Sequence, residues 1–175
     1  VIPYAIQKRV GEQFCEMVSK FYGLETVCIR YFNVYGPRQT TEADGPYATV
    51  IGIFLGQAKN GQPMTVVPDG TQKRDFTHVY DTARANLLAM ESPKVGRGEI
   101  INIGTGTNYT VLKVAEMIGG PWEFASPRQG ETKETLADNT KAKELLGWEP
   151  KVSFQELARM MVDADLALQS HQNDQ

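Results

Sequence analysis

Cysteine is scarce in this 175-residue sequence. Cys15 and Cys28 are the only two, too few for a disulfide framework and in keeping with a reducing, cytoplasmic setting. Histidine is equally sparse: His78 and His171 lie far apart and share no metal-ligand spacing with either cysteine, which argues against a zinc site. No apolar run approaches the ~20 residues needed to cross a bilayer, and no charged leader precedes an apolar stretch at the start. Excess positive charge is missing too. Eighteen Lys and Arg against 21 Asp and Glu give a net charge of −3, so neither nucleic acid nor an anionic membrane is an expected partner. The sequence also lacks a P-loop, a G-x-S-x-G elbow and an H-E-x-x-H helix, which removes most support for phosphotransfer and hydrolysis. What is present is 41% hydrophobic, with 16 glycines and 9 prolines, enough for one ordinary globular core. The chain opens on Val1-Ile2-Pro3 without a methionine and enters a helical pattern at once, so a processed chain or a piece of a longer protein is expected.

Residues 3 to 22 read as a helix, with Pro3 suited to its first turn and Gly23 to its stop. Ile6, Val10, Phe14, Met17, Val18 and Phe21 share one arc of about 120°. Tyr4, Lys8, Gly11, Cys15 and Tyr22 form a second cluster beside it, and Arg9, Glu12, Gln13, Glu16, Ser19 and Lys20 fill the polar side. Such a helix is expected either in the core or between its own sheet and a second subunit. A strand over 25–32 ends in a turn-forming cluster, Asn33 to Arg38. Helices follow over 48–59, over 82–90 with Asp81 as cap, over 111–118 with Thr110 as cap, and over 140–146. Extended segments are expected at 65–67, 74–79, 99–103 and within 122–138, and Ser153-x-x-Glu156 reads as a capping box opening a last helix. Strands alternating with helices give an α/β class with at least some parallel pairing, in which ligands sit beyond the carboxyl ends of strands. The Asn33 turn and the Gly104-Thr105-Gly106 turn are therefore candidate walls of a site. The latter is not a dinucleotide fingerprint, because Tyr109 stands where the third glycine belongs.

Tyr4 and Lys8, four residues apart, project from one helix face. A phenol is a poor base at neutral pH, but an ammonium held beside a phenol favours the phenolate and makes it a usable proton acceptor from a sugar hydroxyl. Other polar residues have plain structural readings. Arg74 beside Asp75 fits a surface pair, Arg128 a solvated loop charge, Asn33 a turn residue and His78 a locally bonded packing residue. Tyr31, Phe32 and Phe76 fit the core.

Taken in order, Tyr4 to Lys8 (YAIQK), Arg30 to Arg38 (RYFNVYGPR), Gly70 to Val79 (GTQKRDFTHV), Asn102 to Gly106 (NIGTG), Arg128 to Glu131 (RQGE), Ala137 to Ala142 (ADNTKA) and Leu146 to Pro150 (LGWEP) span nearly the whole chain. This series resembles the C-terminal portion of extended short-chain dehydrogenase/reductases in the NAD-dependent epimerase/dehydratase family, most nearly the UDP-glucose 4-epimerase-like members. The nucleotide-sugar 4,6-dehydratases and UDP-glucuronate decarboxylases share most of it. The resemblance implies a Rossmann-like α/β fold lacking its N-terminal Gly-rich βαβ half. Residues 1–38 would end the Rossmann-like domain, and 39–175 would be mainly the nucleotide-sugar-binding region, with an interleaved Rossmann-type strand near 99–103.

It also implies roles. Tyr4 would be the general base and acid at the sugar 4-hydroxyl, with Lys8 favouring its ionised form and binding the nicotinamide ribose of NAD. Phe32, Asn33 and Val34 would lie against the nicotinamide end, Asn33 also reaching the substrate. Arg74 and Arg128 would clamp the diphosphate of a UDP-sugar, a task suited to guanidinium forks. Glu131 would contact the nucleotide ribose, and the stretch from Tyr47 to Phe54 would cover the uracil or sugar. Thr135 departs from the pattern of many 4-epimerases, where a tyrosine reaches the diphosphate. The enzyme is expected to work as a homodimer through helix 3–22. At its present length the chain is expected to be inactive alone, and a non-catalytic, self-associating piece is the alternative of another class.

Overall fold

The computed structural model describes residues 3–45, 48–126 and 132–155. The first helix, α1, runs from Pro3 to Tyr22 and hands over through Gly23 to strand β1, Thr26–Tyr31. β1 pairs in parallel with β6, Arg97–Ile103, in a register that sets Cys28 against Ile100 and Tyr31 against Ile103. Alternation along a strand sends successive side chains to opposite faces. Val27 and Ile29 join Ile101 and Ile103 over α3 (Val79–Glu91) and α5 (Thr140–Leu146), in a cluster closed by Ala85, Ala89, Ala142, Leu146 and Trp148. Thr26, Cys28 and Arg30 occupy the other face of β1, which α1 covers.

A second cluster lies beyond. Helices α2 (Val50–Lys59) and α4 (Val111–Ile118) pack with the parallel pair β3 (Met64–Val66) and β8 (Trp122–Phe124), burying Phe54, Met64, Val66, Phe76, Val114 and Phe154. Two short pairings join the clusters. β2 (Val34–Tyr35) runs parallel to β5 (Thr77–His78), and β4 (Lys73–Asp75) runs antiparallel to β7 (Asn108–Thr110). The parallel pairs and interleaved helices make the class α/β, as the sequence implies.

Three local expectations change. The helix expected from Thr82 starts at Val79, and its cap is His78, whose Nδ1 accepts from the Tyr80 amide at 3.3 Å. Asp81 is engaged elsewhere: its carboxylate accepts the amides of Lys151 and Val152 and the Arg84 guanidinium, all at 2.9 Å. The stretch 74–79 is two short strands in different sheets, divided at the fully buried Phe76.

The largest change concerns α1. Its apolar arc does not face the core: Ile6, Val10, Phe14 and Phe21 are all exposed, Phe14 by 59%. The side chains turned to the sheet come from the polar side instead. Glu12, the one buried residue of the helix, receives two hydrogen bonds from Arg30 at 2.5 and 2.7 Å. Ser19 donates to the Gly96 carbonyl and Thr26 to the Cys15 carbonyl, both at 2.9 Å. Strand residues such as Thr26 and Arg30 offer hydrogen-bonding groups on that face, so the helix face that can pair with them wins the contact. Tyr31, expected in the core, is likewise nearly half exposed and donates to Asn86.

Candidate functional site

Tyr4 and Lys8 stay together on the first two turns of α1, with the lysine Nζ 5.4 Å from the centre of the tyrosine ring. Both face solvent, Tyr4 by 66%. β1 then carries the chain to Phe32, whose amide donates to the Ile103 carbonyl and extends the parallel ladder by one bond. At Asn33 the backbone turns into the left-handed region (φ 32°), a conformation that asparagine tolerates better than most residues. Its side-chain amide donates to the Asp75 carbonyl at 2.7 Å and to Thr135 Oγ1 at 3.4 Å.

Asn33 and Arg74 wall one cavity of about 250 Å³, roofed by Val50, Ile53 and Phe54 of α2. Ala48, Thr49, Thr65, Val67, Gln72 and Val111 complete it. The cavity thus has apolar sides and a few polar groups, the usual make-up of a small-molecule site. Arg74 lies within it as a strand residue opposite Tyr109, and its Nη1 donates to the Lys73 carbonyl at 2.9 Å. Tyr4 and Lys8 are not among its lining residues, so the relay pair lies outside this cavity, while Asn33, expected at both the nicotinamide and the substrate, lines it. Arg128 and Glu131, expected on the diphosphate and the ribose, lie outside the described residues, as does Tyr47.

The surface pair expected of Arg74 and Asp75 is absent, because Asp75 is completely buried. One carboxylate oxygen accepts from the amide and hydroxyl of Thr105 at 2.9 and 2.7 Å, the other from the amides of Gly106 and Ala137 at 2.9 and 3.1 Å. One carboxylate therefore ties the Gly104–Gly106 turn to the 137 segment behind the site. Gly104 is required there: a β-carbon on it would sit 2.3 Å from that of Ala137 and 3.0 Å from Asp75 Oδ2. The turn is thus a structural clamp. Gly36, at φ 147°, allows the Asn33 turn to pass Val79, whose methyl would lie 2.6 Å from an added β-carbon. Thr135 supplies a hydroxyl to both Asn33 and the Asp75 amide, so it braces the wall of the cavity.

Two other titratable groups near this wall are set aside by burial. The Tyr35 phenol is driven well above its ordinary range by desolvation, with Asp81 and Tyr109 adding to the effect. Burial pushes the His78 imidazole down, against the opposing pull of Asp81, and its ring packs edge-on against Tyr35 at 5.2 Å. Neither is suited to carry a proton to a ligand. Sequence reasoning misread Asp75 as a surface residue and noted Thr135 only as a departure from the 4-epimerase pattern, not as a brace of this wall. The only signal for Asp75 was its place beside Arg74 in a strand, where one must face in if the other faces out.

With the geometry established, comparison with known proteins fixes the class. The profile of the NAD dependent epimerase/dehydratase family matches residues 1–104. The chain is 36% identical over 167 residues to a putative UDP-glucose 4-epimerase of Methanocaldococcus jannaschii, covering 92% of this chain and 52% of that protein. It is 37% identical over 165 residues to a UDP-N-acetyl-alpha-D-glucosaminuronate decarboxylase of Bacillus cytotoxicus, covering 87% and 50%. Among solved structures, the UDP-glucose 4-epimerase of Thermotoga maritima with UDP-glucose superposes with a TM-score of 0.80 at 41% identity, over 93% of this chain and 53% of that one. This α/β chain belongs to the NAD dependent epimerase/dehydratase family. It spans about half the length of the curated relatives it matches.

Proposed function

We propose that the chain supplies the proton-relay pair and much of the nucleotide-sugar site of an enzyme that inverts C4 of a UDP-hexose. The observation that carries this reading is the cavity shared by Asn33 and Arg74 under the apolar face of α2, with Asn33 just past the end of the strand that follows the Tyr4–Lys8 helix along the chain. An apolar wall suits a uracil or a sugar face, and a guanidinium at its rim suits a diphosphate. Arg74 and Arg128 would hold the two phosphates, Glu131 the nucleotide ribose, and the Tyr47–Phe54 stretch the uracil or sugar. The hexose is glucose or galactose, or an N-acetyl form.

Tyr4, Lys8 and the Phe32–Val34 segment would hold the nicotinamide end of NAD. A phenol and an ammonium held side by side and open to solvent fit that task. NAD, when bound, would take up the C4 hydride and return it. Tyr4 would accept the proton of the 4-hydroxyl and give it back to the 4-keto oxygen, with the Lys8 ammonium stabilising the phenolate between the two transfers. The diphosphate contacts would keep the keto sugar in place while its ring turns. In this reading residues 1–38 and the strand near 99–103 are the Rossmann-like part, and the rest serves mainly the substrate. At its present length the chain would not turn over, and a second copy would cover the exposed arc of α1 in a homodimer.

The test uses the polypeptide extended to the length of its relatives. With UDP-glucose and NAD, Tyr4→Phe lowers kcat by about 10²–10⁴-fold with little change in KM. Arg74→Ala raises KM about tenfold or more, as loss of a charge-assisted contact should. An unchanged kcat for Tyr4→Phe removes the relay. Loss of carbon dioxide from a UDP-uronate, in place of 4-epimer formation, selects decarboxylation, the reading favoured by the decarboxylase among the relatives.

A further inference from the structure

The two cysteines lie on elements that touch. On β1 the side chains of Thr26, Cys28 and Arg30 share the face covered by α1. The first of them bonds to the carbonyl of Cys15 at 2.9 Å, and the last to the carboxylate of Glu12, one helical turn earlier. Ser19, one turn on from Cys15, bonds to Gly96 beside the start of β1, so α1 runs antiparallel to the strand and its register is fixed at three points. Cys28 sits between two of those anchors, on the strand face that meets the turn of α1 carrying Cys15. Both thiols are reduced and partly exposed.

We propose that Cys15 and Cys28 form a reversible redox pair that closes to an intramolecular disulfide and staples α1 to β1. The chemistry is thiol–disulfide exchange with a small-molecule disulfide of the glutathione type. The Cys15 thiolate attacks one sulfur of that disulfide and expels the first glutathione thiolate. Cys28 then gives up its proton to solvent as its sulfur attacks the Cys15 sulfur of the mixed disulfide and expels the second glutathione thiolate. Two protein thiols lose two protons and two electrons, and one small disulfide becomes two thiols. The order follows from Cys28, which burial, the neighbouring Cys15 side chain and the nearby Glu12 carboxylate push up to about 11, against the pull of Arg30. It is therefore held as the thiol and serves as the second, resolving partner. Reversible pairs of this sort are the form in which disulfides occur in reducing compartments. The inference is independent of the chemistry proposed for Tyr4, although the staple would tether the helix that carries it.

The experiment equilibrates the 175-residue chain with mixtures of reduced and oxidised glutathione, then reads free thiols and intact mass. The expected result is joint loss of both thiols and two hydrogens, without a glutathione adduct, and a non-reducing digest that links the Cys15 and Cys28 peptides. Closure should need a proportion of oxidised glutathione at least about tenfold lower than for the same chain in denaturant, because the fold holds the thiols together. Cys28→Ser should instead accumulate one glutathione on Cys15. If that variant does not fold, the native-against-denatured comparison on the unaltered chain still decides. Stable mixed disulfides on the unaltered chain, a reducible dimer of chains, or equal closure in denaturant would each overturn the proposal.

Discussion

Helices α1 and α4 are both amphipathic, and they use their apolar faces in opposite ways. α4 buries Val111, Val114, Ala115 and Ile118 against α2 and β3, so its apolar stripe becomes core. α1 turns its stripe outward and meets the sheet through Glu12, Cys15 and Ser19. The second region is closed around its own apolar centre. The first is closed on the α3–α5 face of β1 and β6 and left apolar on the outer side of α1. An exposed apolar stripe of this length is the kind of surface found at interaction sites. Amphipathicity alone therefore shows that a helix has a partner, and not which partner.

The comparison can be broken most forcefully inside the closed region. Phe76 is fully buried and stacks on Phe154 with ring centres 4.8 Å apart. Phe76→Ala should cost about 3–5 kcal/mol in chemical denaturation, the range for emptying an aromatic core position. A cost under about 1 kcal/mol would mean that this region is not the stable centre of the chain. The next effect belongs to the polar contact that holds α1. The Arg30 hydrogen bonds keep the Glu12 carboxyl below the ordinary carboxylate range. A carboxyl depressed in the folded state contributes stability above its unfolded value, and that contribution is lost as pH falls through the folded value. Amide protection in α1, relative to an unfolded chain at the same pH, should therefore fall on acidification below about pH 4. Glu12→Gln should flatten that dependence and cost about 1 kcal/mol at neutral pH, a modest figure because Arg30 is almost half exposed. Protection in α1 that ignores both pH and substitution would show that the apolar residues hold the helix after all.

How much of this was legible in the sequence depends on whether the signal was local. Pro3 and Gly23 bracket α1, and Thr110 caps α4 by accepting from the Lys113 amide at 3.1 Å, because caps act within a few residues of themselves. The facing of α1 was not legible. It depends on the polar groups that β1 presents, eleven or more residues downstream. Asp75 was misread for the same reason: its four donors come from Thr105, Gly106 and Ala137, which only the fold brings to it. Strand β7 escaped notice because Asn108 to Thr110 reads locally as the approach to a helix cap. The pairing of Tyr4 with Lys8 follows from helical spacing and the Asn33 turn from its strand-end position, whereas a site role for Arg74 was implied only by the family resemblance.

The smallest expected effect is the most discriminating. Phe14 is a large aromatic side chain and would ordinarily be counted with the core, yet on α1 it is 59% exposed. In the chain by itself, Phe14→Ser should change unfolding stability by no more than about 0.5 kcal/mol, since little apolar area is re-exposed. If the outer side of α1 is covered by a second copy, the same substitution should weaken self-association in sedimentation. The two measurements separate the contributions of one side chain. A loss of several kcal/mol in the monomer would place Phe14 in an intramolecular core and remove the contrast with α4. A near-silent monomer with weakened association would make the outward stripe a surface whose apolar residues serve a neighbour.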